Sequence, residues 1–164
     1  MNRVLITFPE RCTGCHICEL VCSFEKTRSF NPKRSRITIL EDEQQGVSIP
    51  IACRHCTVPL CMEACPTAAL YIDGLDGVVL FDEGACIGCR NCVLACPFGA
   101  VSIDPLTSDI IKCDLCNGNP PCVEYCPRDA IVYARADRVS IMIKEAEAIR
   151  LREAMQLTNR SRRA

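Results

Sequence analysis

Sixteen cysteines fall into four groups of four along a chain of 164 residues, with none left over. The first group is Cys12, Cys15, Cys18 and Cys22; the second is Cys53, Cys56, Cys61 and Cys65. The third is Cys86, Cys89, Cys92 and Cys96, and the fourth is Cys113, Cys116, Cys122 and Cys126. The first and third share the spacing C-x2-C-x2-C-x3-C, and the other two depart from it only by extra residues between their second and third cysteines. A proline follows the last cysteine of three groups (Pro66, Pro97, Pro127), whereas Ser23 stands there in the first. Thiols at this density are either cross-linked to one another or bound to metal.

Metal is the reading that the pattern supports. Met1 to Phe8 shows no long apolar stretch and no small-residue cleavage site, so the chain is expected in the cytoplasm, without a membrane span, where thiols stay reduced. Cysteines three apart on one tight turn cannot all bridge each other without strain. A zinc-stabilised adaptor would show two separated C-x2-C knuckles, not a triplet followed by Cys-Pro. The triplet suits a [4Fe-4S] cubane: three thiolates in a turn reach three irons, while the fourth, one helical turn later, faces a second cubane. Thr13-Gly14 and Ile87-Gly88 leave room for close backbone approach, and the prolines end each short helix.

How the groups pair can be read from what lies between them. Cys53 to Ala100 contains a motif, the run Pro66 to Leu70, a strand pair around Tyr71 to Asp82 with turn signals Asp73-Gly74 and Asp76-Gly77, and a second motif. This is a complete small two-cluster ferredoxin. The strand Val4 to Phe8 before group one and the strand Ile131 to Tyr133 after group four would then rebuild a second one around it. The crossover rule assigns Cys53, Cys56, Cys61 and Cys96 to one cluster, and Cys65, Cys86, Cys89 and Cys92 to the next. It assigns Cys12, Cys15, Cys18 and Cys126 to a third, and Cys22, Cys113, Cys116 and Cys122 to a fourth. Sequential pairing, one with two and three with four, remains open because loop lengths are weak constraints.

The expected fold is α+β: two nested dicluster ferredoxin-like lobes followed by a C-terminal helix. The outer lobe takes 1–40 plus 105–137, the inner lobe 41–104, and the helix and tail 138–164. Arg138 to Leu157 is rich in helix formers, with Met142, Ala146, Ile149 and Leu157 on a loose apolar face and a frayed Ser161 to Ala164 beyond. With eight aromatics and no Trp, such a chain should depend on its metal for a stable fold.

Charge excludes one class of function. Residues 1–40 carry seven basic and three acidic side chains, 135–164 carry eight and four, and the stretch between carries four and thirteen. A nucleic-acid binder would gather its basic residues on one face, so no nucleic-acid partner is expected. His16 and His55 neighbour ligand cysteines but are read as hydrogen-bonding or tuning groups, since the ligand sets are complete without them. Arg54, Arg90 and Arg128 are candidates for stabilising a reduced cluster. No phosphate loop, dinucleotide turn or nucleophile triad is present, so no catalytic residue is assigned. The C-x3-C-x2-C triplet of radical S-adenosylmethionine enzymes is absent as well: its third position falls on Glu25, Ala68, Gly99 or Asp129.

Over residues 1–135 the motif order resembles the four-cluster electron-transfer subunits of molybdenum and tungsten oxidoreductases, hydrogenases and formate dehydrogenases. The segment Cys12 to Ser23, followed by Phe30 to Ile37, is most similar to the iron-sulfur subunits that accompany tungsten-dependent aldehyde oxidoreductases. The resemblance implies a polyferredoxin that relays single electrons between a catalytic tungsten or molybdenum subunit and a flavin subunit or soluble ferredoxin, with end-to-end assembly as a further option. The alternative is the equivalent subunit of a formate dehydrogenase or hydrogenase. Four ligand sets predict that anaerobically purified protein is brown and carries about sixteen irons. Stoichiometric zinc with little iron, by elemental analysis, would end this reading.

Overall fold

The computed structural model describes residues 3–74 and 77–161, and of residues 153 and 156–161 the backbone only. The Asp76 turn position, the Leu157 side chain and the tail beyond Ser161 therefore lie outside what is described. Strands and helices are short throughout, giving a small α+β fold. Strand β1 (Arg3–Thr7) pairs antiparallel with β8 (Ile131–Arg135), Leu5 opposite Tyr133. Three further antiparallel ribbons are hairpins: β2 (Ile37–Asp42) with β3 (Val47–Ala52), β4 (Leu70–Ile72) with β5 (Val79–Phe81), and β6 (Val101–Ile103) with β7 (Ile110–Lys112). A two-stranded ribbon is marginal alone, so each must pack against something else.

What they pack against is largely cysteine. One core combines Leu5, Ile37, Ile39, Ala52, Leu115 and Ile131 with Cys18, Cys22 and Cys122. A second combines Leu70, Val79, Val101 and Ile110 with Cys61 and Cys92. Both ends of the chain meet in the first core, and the second is built from the middle of the sequence. Helix α1 (Ile17–Thr27) packs on α4 (Pro121–Glu124), and α2 (Leu60–Glu63) on α3 (Asn91–Ala95).

The prolines explain the helix lengths. Cys96, ahead of Pro97, is extended (φ −77°, ψ 110°) and ends α3 after five residues, because a residue before proline avoids the helical region. Group one lacks that stop, and α1 (11 residues) continues past Cys22 to Thr27. Ser23 is fully buried there: its hydroxyl donates to the Leu20 carbonyl at 2.9 Å and accepts from the Asn31 N–H at 3.2 Å. The serine thus continues the helix and pins the returning chain.

The β2–β3 hairpin is the element the sequence did not announce. Ile37, Ile39 and Ala52 join the first core, and β3 packs against β1. The hairpin also lies over the first cysteine loop. A side chain at Gly14 (φ +65°) would meet Glu41 Oε1 at 2.6 Å and Ser48 Oγ at 2.7 Å.

Helix α5 (Ala136–Ser161) follows β8 directly, starting two residues earlier than the sequence suggests. Val139, Met142 and Ala146 are half-buried, but Ile149 is 46% exposed and leaves the expected apolar face; Arg150 bonds Glu10 at 2.8 Å. Among the described residues no helix is long and apolar enough to cross a membrane.

Asp104, in the β6–β7 turn, bonds Arg34 Nε at 2.7 Å and accepts from the Leu106 and Thr107 N–H groups. Burial opposes its ionisation, but these donors prevail and hold the carboxyl below its ordinary value. A depressed carboxylate contributes stability above its unfolded pKa of about 3.9 and loses it as pH falls through the lower folded value. Asp104→Asn should therefore cost about 1–3 kcal/mol at neutral pH. The thermal midpoint of the metal-loaded variant should also lack part of the wild type's fall below about pH 4.

Candidate metal centres

Three partly enclosed cavities are each walled by four cysteines. One is lined by Cys12, Cys15, Cys18 and Cys126, with Ile39, Pro50 and Ile131 closing it. A second is lined by Cys22, Cys113, Cys116 and Cys122, with Leu5, Ile37 and Ala52. The third is lined by Cys65, Cys86, Cys89 and Cys92, with Leu70, Phe81 and Ile110. Of the remaining four cysteines, Cys53 and Cys96 lie close enough to Cys61 to raise its pKa; Cys56 follows His55 on the same loop. All sixteen thiols are free.

Left-handed backbone shapes these loops. Gly14 and Gly88 have φ of +65° and +70°, and the residues after the second cysteine, His16, Arg90 and Asn117, are left-handed too. So are Ala68, Gly99 and Asp129, each three residues beyond the cysteine that precedes a proline. The chain thereby turns its amides toward sulfur. Arg36 N–H donates to Cys22 Sγ at 3.3 Å, Ala130 N–H to Cys126 at 3.3 Å, Gly88 N–H to Cys86 at 3.4 Å and Leu115 N–H to Cys113 at 3.5 Å. Such bonds favour thiolate and raise the potential of any cluster it ligates. The repeated left-handed position is not legible from sequence, since Ala68 and Asp129 are not glycines.

Burial dominates the thiol chemistry. It pushes Cys18 and Cys113 up to about 12 and raises Cys61, Cys92, Cys116 and Cys122 as well. Cys65 is the exception: burial opposes ionisation, but the Thr67 hydroxyl and nearby N–H groups outweigh it. The six raised thiols therefore hold their protons more tightly than a free thiol, and iron must displace them.

The histidines hold structure. His16 Nδ1 meets Glu19 at 2.5 Å and Nε2 meets Glu41 at 3.1 Å, while the other Glu19 oxygen accepts the Ile39 N–H at 2.8 Å. The bond to Glu19 raises His16 above its ordinary value against the effect of burial. His55 Nδ1 accepts the Val79 N–H at 3.1 Å, which leaves the proton on Nε2; burial lowers this ring to about 3. His55 Nε2 is also the one buried side-chain nitrogen or oxygen without a partner among the described residues. Arg54, Arg90 and Arg128 are exposed, and Arg54 stacks over Phe98 at 4.9 Å. Lys112, which nothing in the motif spacing singles out, is buried among the cysteines.

The donor sets fit iron-sulfur clusters. Four thiols around an otherwise apolar void fit a cubane, which these cysteines would hold as thiolates while the N–H groups aimed at their sulfurs would stabilise the bound charge. Among the described residues no group of His, Cys, Asp or Glu is arranged to hold a single metal ion.

The chain matches known [4Fe-4S] proteins. A 4Fe-4S dicluster domain matches residues 44–119 and a 4Fe-4S binding domain matches residues 9–25. The chain is 43% identical to the polyferredoxin-like subunit of an aliphatic sulfonate oxidoreductase from Pyrococcus furiosus, covering 75% of this chain and 70% of that one. It is 32% identical to a thiosulfate reductase electron transfer subunit from Salmonella typhi (92% and 86% covered). It is 36% identical to a subunit of anaerobic dimethyl sulfoxide reductase from Escherichia coli (79% and 71%). Other relatives are far longer, and the chain spans 28% of one and 25% of another. The chain binds more than one [4Fe-4S] cluster.

Proposed function

Since the chain belongs to the [4Fe-4S] ferredoxin-like electron-transfer subunits of oxidoreductases, we propose that it relays single electrons through four such clusters between a catalytic subunit and a second redox partner. The observation that carries this reading is the lining of the three cavities, each of which draws its cysteines from two different motifs. Crossover ligation of this kind supports clusters held by Cys12, Cys15, Cys18 and Cys126; by Cys22, Cys113, Cys116 and Cys122; and by Cys65, Cys86, Cys89 and Cys92. Cys53, Cys56, Cys61 and Cys96 hold the fourth.

The nested arrangement follows from the same sets: 1–40 with 105–137 form an outer lobe, 41–104 an inner one, and 138–164 the helix and tail. Packing of Ala52 on the first core favours starting the inner lobe after β3. Bound clusters supply one-electron chemistry, and the chain's own residues exclude water, donate N–H groups to sulfur and expose the two ends. Cys15 and Cys89 are the two exposed cysteines, one lining the cavity of Cys12 and Cys126 and the other that of Cys65 and Cys92, which supports entry at one lobe and exit at the other.

For the catalytic partner we favour a tungsten or molybdenum oxidoreductase in the cytoplasm, most specifically a tungsten aldehyde oxidoreductase, with a flavin subunit or soluble ferredoxin as acceptor. The first-motif resemblance supports this, and the relatives' sulfonate, thiosulfate and dimethyl sulfoxide chemistry does not favour the formate dehydrogenase or hydrogenase alternative. Tungsten, molybdenum or nickel in the subunit that co-purifies without oxygen separates these partners. For the wiring itself, Cys126→Ser should perturb the same paramagnetic centre as Cys12→Ser, and Cys22→Ser the same centre as Cys113→Ser. A shared signature for Cys126→Ser and Cys86→Ser would instead establish sequential pairing.

A further inference from the structure

Between residues 41 and 134 the chain has four basic side chains, Arg54, Arg90, Lys112 and Arg128, all within two residues of a cysteine. Three are exposed; Lys112 is 5% exposed. Its Nζ donates to the Val79 carbonyl at 2.5 Å and the Cys113 carbonyl at 2.9 Å, and lies 3.5 Å from Cys53 Sγ. Among the described residues no carboxylate forms an ion pair with it. A buried ammonium without a counter-charge is costly, and carbonyl dipoles offset only part of that cost.

The position of Lys112 points to its counter-charge. It ends β7, whose Ile110 belongs to the second core, and precedes Cys113, which packs against the first. Its charge is felt by Cys61 on one side and Cys113 on the other. It also holds Val79, whose N–H is bonded to His55 beside Cys56. Cysteine-ligated cubanes are anionic and gain one more negative charge on reduction.

We propose that Lys112 is a shared counter-ion at the junction of the two cores, stabilising the reduced forms of the cluster held by Cys53, Cys56, Cys61 and Cys96 and of the cluster held by Cys22, Cys113, Cys116 and Cys122. This rests on the four-cluster reading above. One electron passes between the two sites, and the electron that leaves one cluster reduces the other, with no bond made or broken. By favouring the added electron on either side, the lysine smooths the single step at which the path crosses between cores.

The test is a potentiometric titration, followed by electron paramagnetic resonance, of the complete iron-loaded protein. Lys112→Gln keeps a polar donor, on a side chain one atom shorter, but carries no charge; Lys112→Met removes both donor and charge. In each variant the reduced-to-oxidised ratio of the two flanking clusters should fall at least tenfold at fixed potential, about 59 mV for a one-electron couple. The clusters of Cys12 and of Cys89 should keep theirs. Iron loss confined to the two flanking sites would carry the same meaning. Unchanged potentials, an equal shift of all four, or loss of all four clusters in both variants would overturn the proposal. Wild-type iron content is read in parallel, so a failure of the four-cluster reading shows there and not in the variants.

Discussion

Thiols occupy the interior of this protein where leucine and phenylalanine stand in most small domains. Each core holds only a handful of branched side chains, and the cysteines interleaved with them enclose voids. A void lined by apolar atoms forfeits dispersion contacts, and a buried thiol gives back little. Iron bound by four thiolates replaces the missing contacts with strong bonds, so binding free energy becomes folding free energy. Two-stranded ribbons, four-residue helices and left-handed turns suffice as a scaffold because the metal centres supply the cross-links. The fold is a set of loops arranged to point sulfur inward.

Much of this is legible because cysteine spacing is a direct geometric code. The strand flanking each motif, the Asp73-Gly74 turn between β4 and β5, and the short proline-stopped helices all follow from local residue chemistry. The β2–β3 hairpin does not show itself, because its loop lacks a two-residue Asn-Gly or Asp-Gly signal and its alternation is brief. The continuation of α1 rests on Ser23, whose buried hydroxyl serves two distant backbone groups; only tertiary structure reveals those partners. Ile149 looks apolar on a helical wheel, yet α5 turns Met142 and Ala146 inward together with Val139 and leaves Ile149 exposed.

The basic residues show the same limit in electrostatic form. Arg54, Arg90, Lys112 and Arg128 are equivalent in sequence, each next to or near a ligand cysteine. Burial separates them: a charge in solvent is screened, whereas one held at 3.5 Å from Cys53 in a dry interior is not. Sequence spacing identifies which residues can reach a metal centre, and packing decides which of them can tune it. The N–H bonds to Cys22, Cys86, Cys113 and Cys126 belong to the same class, since they come from backbone and leave no residue signature.

The central claim is that four clusters are each held by cysteines from two motifs. Diffraction from anaerobic crystals, recorded on both sides of the iron absorption edge, locates iron without reference to the chain. The account predicts four separate iron centres, one of them ringed by Cys12, Cys15, Cys18 and Cys126. An iron centre ringed by Cys12, Cys15, Cys18 and Cys22, or fewer than four centres in fully loaded protein, would contradict it.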